Sequence, residues 1–105
     1  GNTTGKSKLQ LLEETAANST NPDDFLNLSL YYYNAGNYEK CIEASERALK
    51  LKPDYAAAYN NICSAYNAMG KYEEGAKACE NALKIQPDFQ LAKNNLDWAR
   101  KNLKK

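Results

Sequence analysis

Apolar residues recur along the chain at helical spacing, and the stretches that carry them alternate between uncharged and charged company. No charged residue occurs from Phe25 to Ala35 or from Ala56 to Met69, whereas the stretches that follow carry Glu39, Lys40, Glu43, Glu46, Arg47 and Lys50, then Glu73, Glu74, Lys77, Glu80 and Lys84. Asn21-Pro22 supplies an N-cap and a first-turn residue, and Gly36-Asn37 and Lys52-Pro53-Asp54 supply breaks. This punctuation predicts helices over about 22–35 and 38–51, since proline disfavours helical geometry in the residue before it. The same grammar predicts helices over about 57–69 and 72–85, broken at Gly70-Lys71 and stopped at Pro87. Beyond Pro87, the spacing of Ala92, Leu96, Ala99 and Leu103 predicts a helix over about 89–103 with one apolar stripe. Its other faces carry Lys93, Asp97, Arg100, Lys101 and Lys104. Leu9, Leu12 and Ala16 predict a weaker helix from about Ser7 to Ala17.

The two hairpins repeat each other at an offset of 34 residues, as from Asn27 to Asn61, Gly36 to Gly70, Ala48 to Ala82 and Pro53 to Pro87. Self-similarity of that period marks a stacked helical repeat, in which each unit buries its apolar face against its neighbours. The expected fold is therefore all-α, a helical-hairpin repeat solenoid of two full repeats with an N-terminal helix and a C-terminal capping helix. Its expected divisions are a disordered tail over 1–6, the N-terminal helix and linker over 7–21, repeats over 22–55 and 56–89, and the cap over 90–105. Two repeats fall below the usual minimum of about three, so both flanking helices are expected to be needed.

Composition narrows the function. A net charge of +1, from 14 basic and 13 acidic residues interleaved along the chain, gives no field to attract nucleic acid or an anionic membrane. No apolar run approaches the ~18–20 residues that span a bilayer. The sequence has no histidine, which removes the commonest general base and metal ligand. The adjacent pairs Glu13-Glu14 and Glu73-Glu74 project in different directions from a helix, and no serine or cysteine has a candidate base. Neither an enzyme nor a cofactor or metal site is expected. The opening Gly1 to Ser7 is one residue short of a phosphate-binding loop and follows no strand. Gly1 in place of an initiator Met points to an excised fragment, so compartment is weakly constrained. Cys41, Cys63 and Cys79 lack metal-ligand spacing and are expected to pack as small apolar side chains, which favours a cytoplasmic setting slightly.

Over residues 22–103 the chain resembles the tetratricopeptide repeat family. The match runs through Phe25, Leu28, Ser29, Tyr32, Gly36, Tyr38, Ala48 and Pro53, and again through Tyr59, Ile62, Cys63, Tyr66, Gly70, Tyr72, Ala82 and Pro87. Cys41 and Gly75 stand where the family usually has alanine, and Gly75 should cost about 1 kcal/mol of helix propensity. The resemblance implies that the first helix of each hairpin lines a concave groove, and since these helices carry no charge from Phe25 to Ala35 or from Ala56 to Met69, an uncharged groove is implied. The family's groove positions fall on Leu26, Asn27, Leu30 and Tyr33, on Asn60, Asn61, Ser64 and Asn67, and on Leu91, Asn94, Asn95 and Trp98.

The candidate peptide-binding residues are thus Asn27, Leu30, Tyr33, Asn60, Asn61, Ser64, Asn67, Leu91, Asn95 and Trp98. Asn27, Asn61 and Asn95 are expected to align as an amide ladder against the backbone of a largely neutral peptide. The resemblance also implies a test: chaperone-binding members hold a C-terminal carboxylate with a clamp of lysine, arginine and asparagine, and Asn61 matches it in the second repeat, but Leu26 and Leu30 stand where the first repeat needs lysine and asparagine and Leu91 and Asn95 where the third needs lysine and arginine, so such a tail is not expected. The implied partner is a protein or peptide. The rival readings are self-association into a homo-oligomer through Leu26, Leu30, Tyr33 or Trp98, and an accessory domain of a larger protein, since similar repeats are appended to glycosyltransferases, some of them membrane-bound.

Overall fold

The computed structural model describes residues 5–105. Six helices follow one another: α1 (Lys8–Ala17), α2 (Pro22–Asn34), α3 (Tyr38–Leu51), α4 (Ala56–Ala68), α5 (Tyr72–Ile85) and α6 (Gln90–Leu103). Local chemistry fixes their ends. Ser7 and Gln10 close a capping box at α1, in which Ser7 Oγ accepts from the Gln10 N–H at 3.1 Å and Gln10 Oε1 accepts from the Ser7 N–H at 2.8 Å. Asn21 Oδ1 caps α2 by accepting from the Asp23 N–H at 3.0 Å, with Pro22 behind it in the first turn. Gly36 and Gly70 end α2 and α4 at φ of 79° and 78°, a left-handed conformation open to glycine at little cost. Each lets two amides fold back on the preceding turn: Asn37 and Gly36 donate to Tyr32 O and Tyr33 O, and Lys71 and Gly70 donate to Tyr66 O and Asn67 O.

The helices pair as α2 with α3 and α4 with α5, and α4 also touches α2, α3 and α6. Alpha carbons approach closely because the seams are lined by small buried residues, among them Ala44, Ala48, Ala65, Ala78, Ala82, Ala92 and Ala99. Phe25, Leu28, Ile42, Ile62 and Leu96 fill the wider spaces. α6 covers α5 with Ala92, Leu96 and Ala99, while Leu103, assigned to the same stripe by spacing, is 49% exposed at the end of the helix. α1 packs on α2 alone and is tied to it by the Tyr32 hydroxyl, which donates to Glu13. The chain is elongated, 50 × 26 × 18 Å. Among the described residues no helix is long and apolar enough to cross a membrane.

One expectation is corrected. Cys63 and Cys79 do not pack as separate thiols: they form a buried disulfide between α4 and α5, with alpha carbons 5.3 Å apart. Position in the hairpin explains it. One period earlier the same two places hold Ser29 and Ser45, both fully buried, so these are the inward-facing positions of each hairpin, where two cysteines come within bonding range. Cys41 alone remains a free, buried thiol, as expected, and burial pushes its pKa up to about 11.

Gly75 has a reason beyond tolerance of small size. A Cβ at this position would lie 2.2 Å from Asn67 Oδ1 and 3.3 Å from the Cys63 carbonyl oxygen, so the Asn67 side chain occupies the space an alanine methyl would need.

Candidate functional site

Helix α2, uncharged from Phe25 onward, and the uncharged α4 converge with α6 and the start of α5 on an open cavity of about 420 Å³ lined by Tyr33, Ser64, Asn67, Ala68, Tyr72, Asn95 and Trp98. None of these carries a formal charge. Tyr33 is held by an edge-to-face contact with Tyr38 at 5.5 Å between ring centroids. Trp98 is 56% exposed, and Leu91, two helical turns before it, is 61% exposed.

The ten candidate residues divide into three sets. Tyr33, Ser64, Asn67, Asn95 and Trp98 line this cavity together. Asn27 and Leu30 line a second one of about 340 Å³ with Lys8 and Leu12 of α1 and Tyr31 and Asn34 of α2. Asn60, Asn61 and Leu91 line neither; Asn60 is buried.

The asparagines join the repeats to one another. Asn61 Nδ2 donates to Ser29 Oγ at 2.9 Å, and Ser29 in turn donates to the Leu26 carbonyl at 2.7 Å. Asn95 Nδ2 donates to Asn60 Oδ1 at 2.9 Å and to Ser64 Oγ at 3.0 Å, while Asn67 Nδ2 donates to the Asn95 carbonyl at 3.0 Å. The amide N–H groups of Asn61 and Asn95 are therefore bonded to the preceding repeat, and Asn27, with only α1 before it, is exposed. Asn67 Oδ1 is buried against Gly75 without a hydrogen-bond partner.

Tyr72 and Ala68 also line the cavity, although neither is at a groove position that the family resemblance implies. Tyr72 opens the second helix of its hairpin, and assigning the groove to first helices alone passes over it. Its recurrence one period after Tyr38, directly beyond a Gly-x break, was the available signal. Among the described residues no group of three or more His, Cys, Asp or Glu side chains could hold a metal ion. The opening residues 1–4, on which the tail and the near phosphate loop partly fall, lie outside the described residues.

Paired helices stacked at a fixed period, with first helices facing one side, define a helical-hairpin repeat protein. Two models of the tetratricopeptide repeat match residues 22–55 and 56–89, and the chain belongs to that family. Solved structures of similar fold include the first tetratricopeptide domain of Spaghetti (RPAP3) bound to the HSP90 peptide SRMEEVD, with 23% identity, a TM-score of 0.85 and coverage of 92% of this chain and 78% of that one. The second such domain of human RPAP3, in complex with the HSP70 peptide SGPTIEEVD, gives 22%, 0.81, 88% and 78%. MamA gives 23%, 0.83, 90% and 52%. No curated protein matches the sequence.

Proposed function

We propose that this chain is a protein-interaction scaffold that holds a largely neutral peptide or partner segment in its concave groove, by reversible binding without a covalent step. The observation that carries this reading is the cavity between α2, α4 and α6, where Tyr33, Tyr72 and Trp98 offer apolar faces and no lining residue is charged. The peptides in the Spaghetti and human RPAP3 complexes both end in the acidic run EEVD. Here Leu26, Leu91 and Asn95 stand where the resemblance puts the cations of a carboxylate clamp, and pairing an acidic terminus without cations leaves its desolvation uncompensated.

Fluorescence anisotropy with a labelled neutral peptide pool and with SRMEEVD tests the proposal. Binding drawn from the neutral pool, weakened by Trp98→Ala, is the expected result; preference for SRMEEVD would overturn it. A second copy of the chain is the rival occupant, supported by the exposure of Leu91 and Trp98 on one helix. Light scattering over a concentration series separates the two, since a concentration-independent monomer removes self-association.

A further inference from the structure

We infer that a second site, on the side of α4 turned away from the groove, takes an arginine side chain of a partner protein. It is a pocket of about 400 Å³ between α3, α4 and α5, and it shares no residue with the groove cavity: Ser64 and Asn67 of α4 line that one, Tyr59, Ile62 and Tyr66 this one. With Leu49 of α3 these three make the apolar walls; Ile62 is buried and both tyrosines are half-buried. Glu46, Glu74 and Lys77 stand exposed around them, with Asn81 alongside. Among the described residues neither carboxylate is in an ion pair, and Lys77 is in none and lies over neither ring. The lining therefore carries a net negative charge beside two aromatic faces.

The first repeat shows what belongs on those faces. One period earlier Phe25 and Tyr32 hold the places of Tyr59 and Tyr66, and each ring is covered by a cation of the chain itself. The Arg47 guanidinium lies 4.6 Å from the Phe25 ring centroid, and the Lys40 ammonium 5.6 Å from that of Tyr32. In the second repeat the places of Arg47 and Lys40 are held by Asn81 and Glu74. The rings are kept, both cations are gone, and one has become a carboxylate. Glu46 adds another carboxylate where the first repeat has Leu12. A guest that satisfies this pocket needs a positive head and an apolar stem. Arginine supplies both: its flat guanidinium stacks on a tyrosine face and donates in pairs to a carboxylate, while its methylenes lie along Leu49 and Ile62. The ammonium of lysine is more strongly hydrated and cannot stack.

The probes are blocked pentapeptides of alanine with arginine, lysine or citrulline at the centre, followed by NMR shifts of assigned side chains. The arginine peptide is expected to shift Tyr59, Ile62 and Tyr66 saturably and to leave Trp98 in place. Citrulline keeps the shape of arginine without its charge and should bind about tenfold more weakly, with lysine between the two. Glu74→Lys with Asn81→Arg copies Lys40 and Arg47 of the first repeat, covers both rings, and should abolish binding without lowering the melting temperature. Equal binding of the citrulline peptide overturns the cation site, and equal binding of the lysine peptide overturns its assignment to arginine. Undiminished binding to the folded double variant, or shifts centred on Trp98 and Asn95, puts the peptide elsewhere and overturns the proposal. So does the absence of a saturable shift up to about 10 mM peptide.

Discussion

Asn67 and Gly75 behave as one unit. In the first repeat their places are held by Tyr33 and Cys41, and only in the second does a side-chain amide reach across to the facing helix and occupy the volume of a Cβ. Gly75→Ala gains helix propensity of about 1 kcal/mol but forces Asn67 to move, an overpacking cost of about 1–3 kcal/mol. The single variant is therefore expected to melt lower than the parent, and Asn67→Ala with Gly75→Ala to recover most of that loss. Denaturant titration of the four proteins of the cycle measures the coupling; additivity would show that the contact is slack.

Two tyrosines give a pH signature. Burial, reinforced by donation to Glu13, pushes Tyr32 up to about 12, and burial with donation to Asp23 at 2.5 Å does the same for Tyr55. A pKa raised in the folded state means that the unfolded chain gives up the proton first, so the contribution is complete below the ordinary tyrosine value of about 10 and is lost as pH climbs from there towards 12. Thermal melts should fall steeply across that interval, and less so in Tyr32→Phe with Tyr55→Phe. The amide bond from Asn61 to Ser29 belongs to the same scale. Asn61→Ala is expected to lower stability by about 1 kcal/mol while the folded fraction still binds its peptide, because the donor lost is one the fold was using.

At the level of the helices, most of the architecture was legible in advance. Pro22, Gly36, Gly70 and Pro87 punctuate the chain through φ restriction and left-handed geometry, which act locally and so can be read from one residue and its neighbours. The disulfide was not legible, because Cys63 and Cys79 are 16 residues apart on different helices and their meeting depends on which faces the hairpin turns inward. The cavity was half legible for the same reason: the resemblance to the family placed Tyr33, Ser64, Asn67, Asn95 and Trp98 on the groove, but could not show that the asparagine donors would be taken up between repeats. Closing a loop of that length removes chain entropy from the unfolded state, so Cys63→Ser with Cys79→Ser, which copies Ser29 and Ser45, should cost about 3 kcal/mol. Denaturation midpoints of parent and variant check this, and thiol counting gives a parallel result: only Cys41 titrates, and only after unfolding.

Over the whole molecule the attachments are uneven. α1 touches only α2, whereas α6 is held by both α4 and α5, with an exposed Arg100 to Glu80 pair at 3.4 Å adding little. Hydrogen exchange should run fastest in α1, slower in α2 and α3, and slowest in α4 and α5. Removing residues 90–105 uncovers the apolar face beneath α6, and the shortened chain is expected to aggregate; a monomer with unchanged melting temperature would show that α6 is not a cap.

The disulfide lies inside one hairpin, and among the described residues only the main chain links one repeat covalently to the next. Mechanically the protein is a pair of leaves, one of them riveted, joined along a seam whose polar latches are side-chain amides: Asn61 on Ser29 at one joint, Asn95 on Asn60 and Ser64 at the next. Each latch can release and re-form without breaking a helix. These bonds act beside a buried apolar seam that runs through both repeats and α6, so spreading the groove would have to part Ala48, Ile62, Ala92 and Leu96 from their neighbours as well as release the latches.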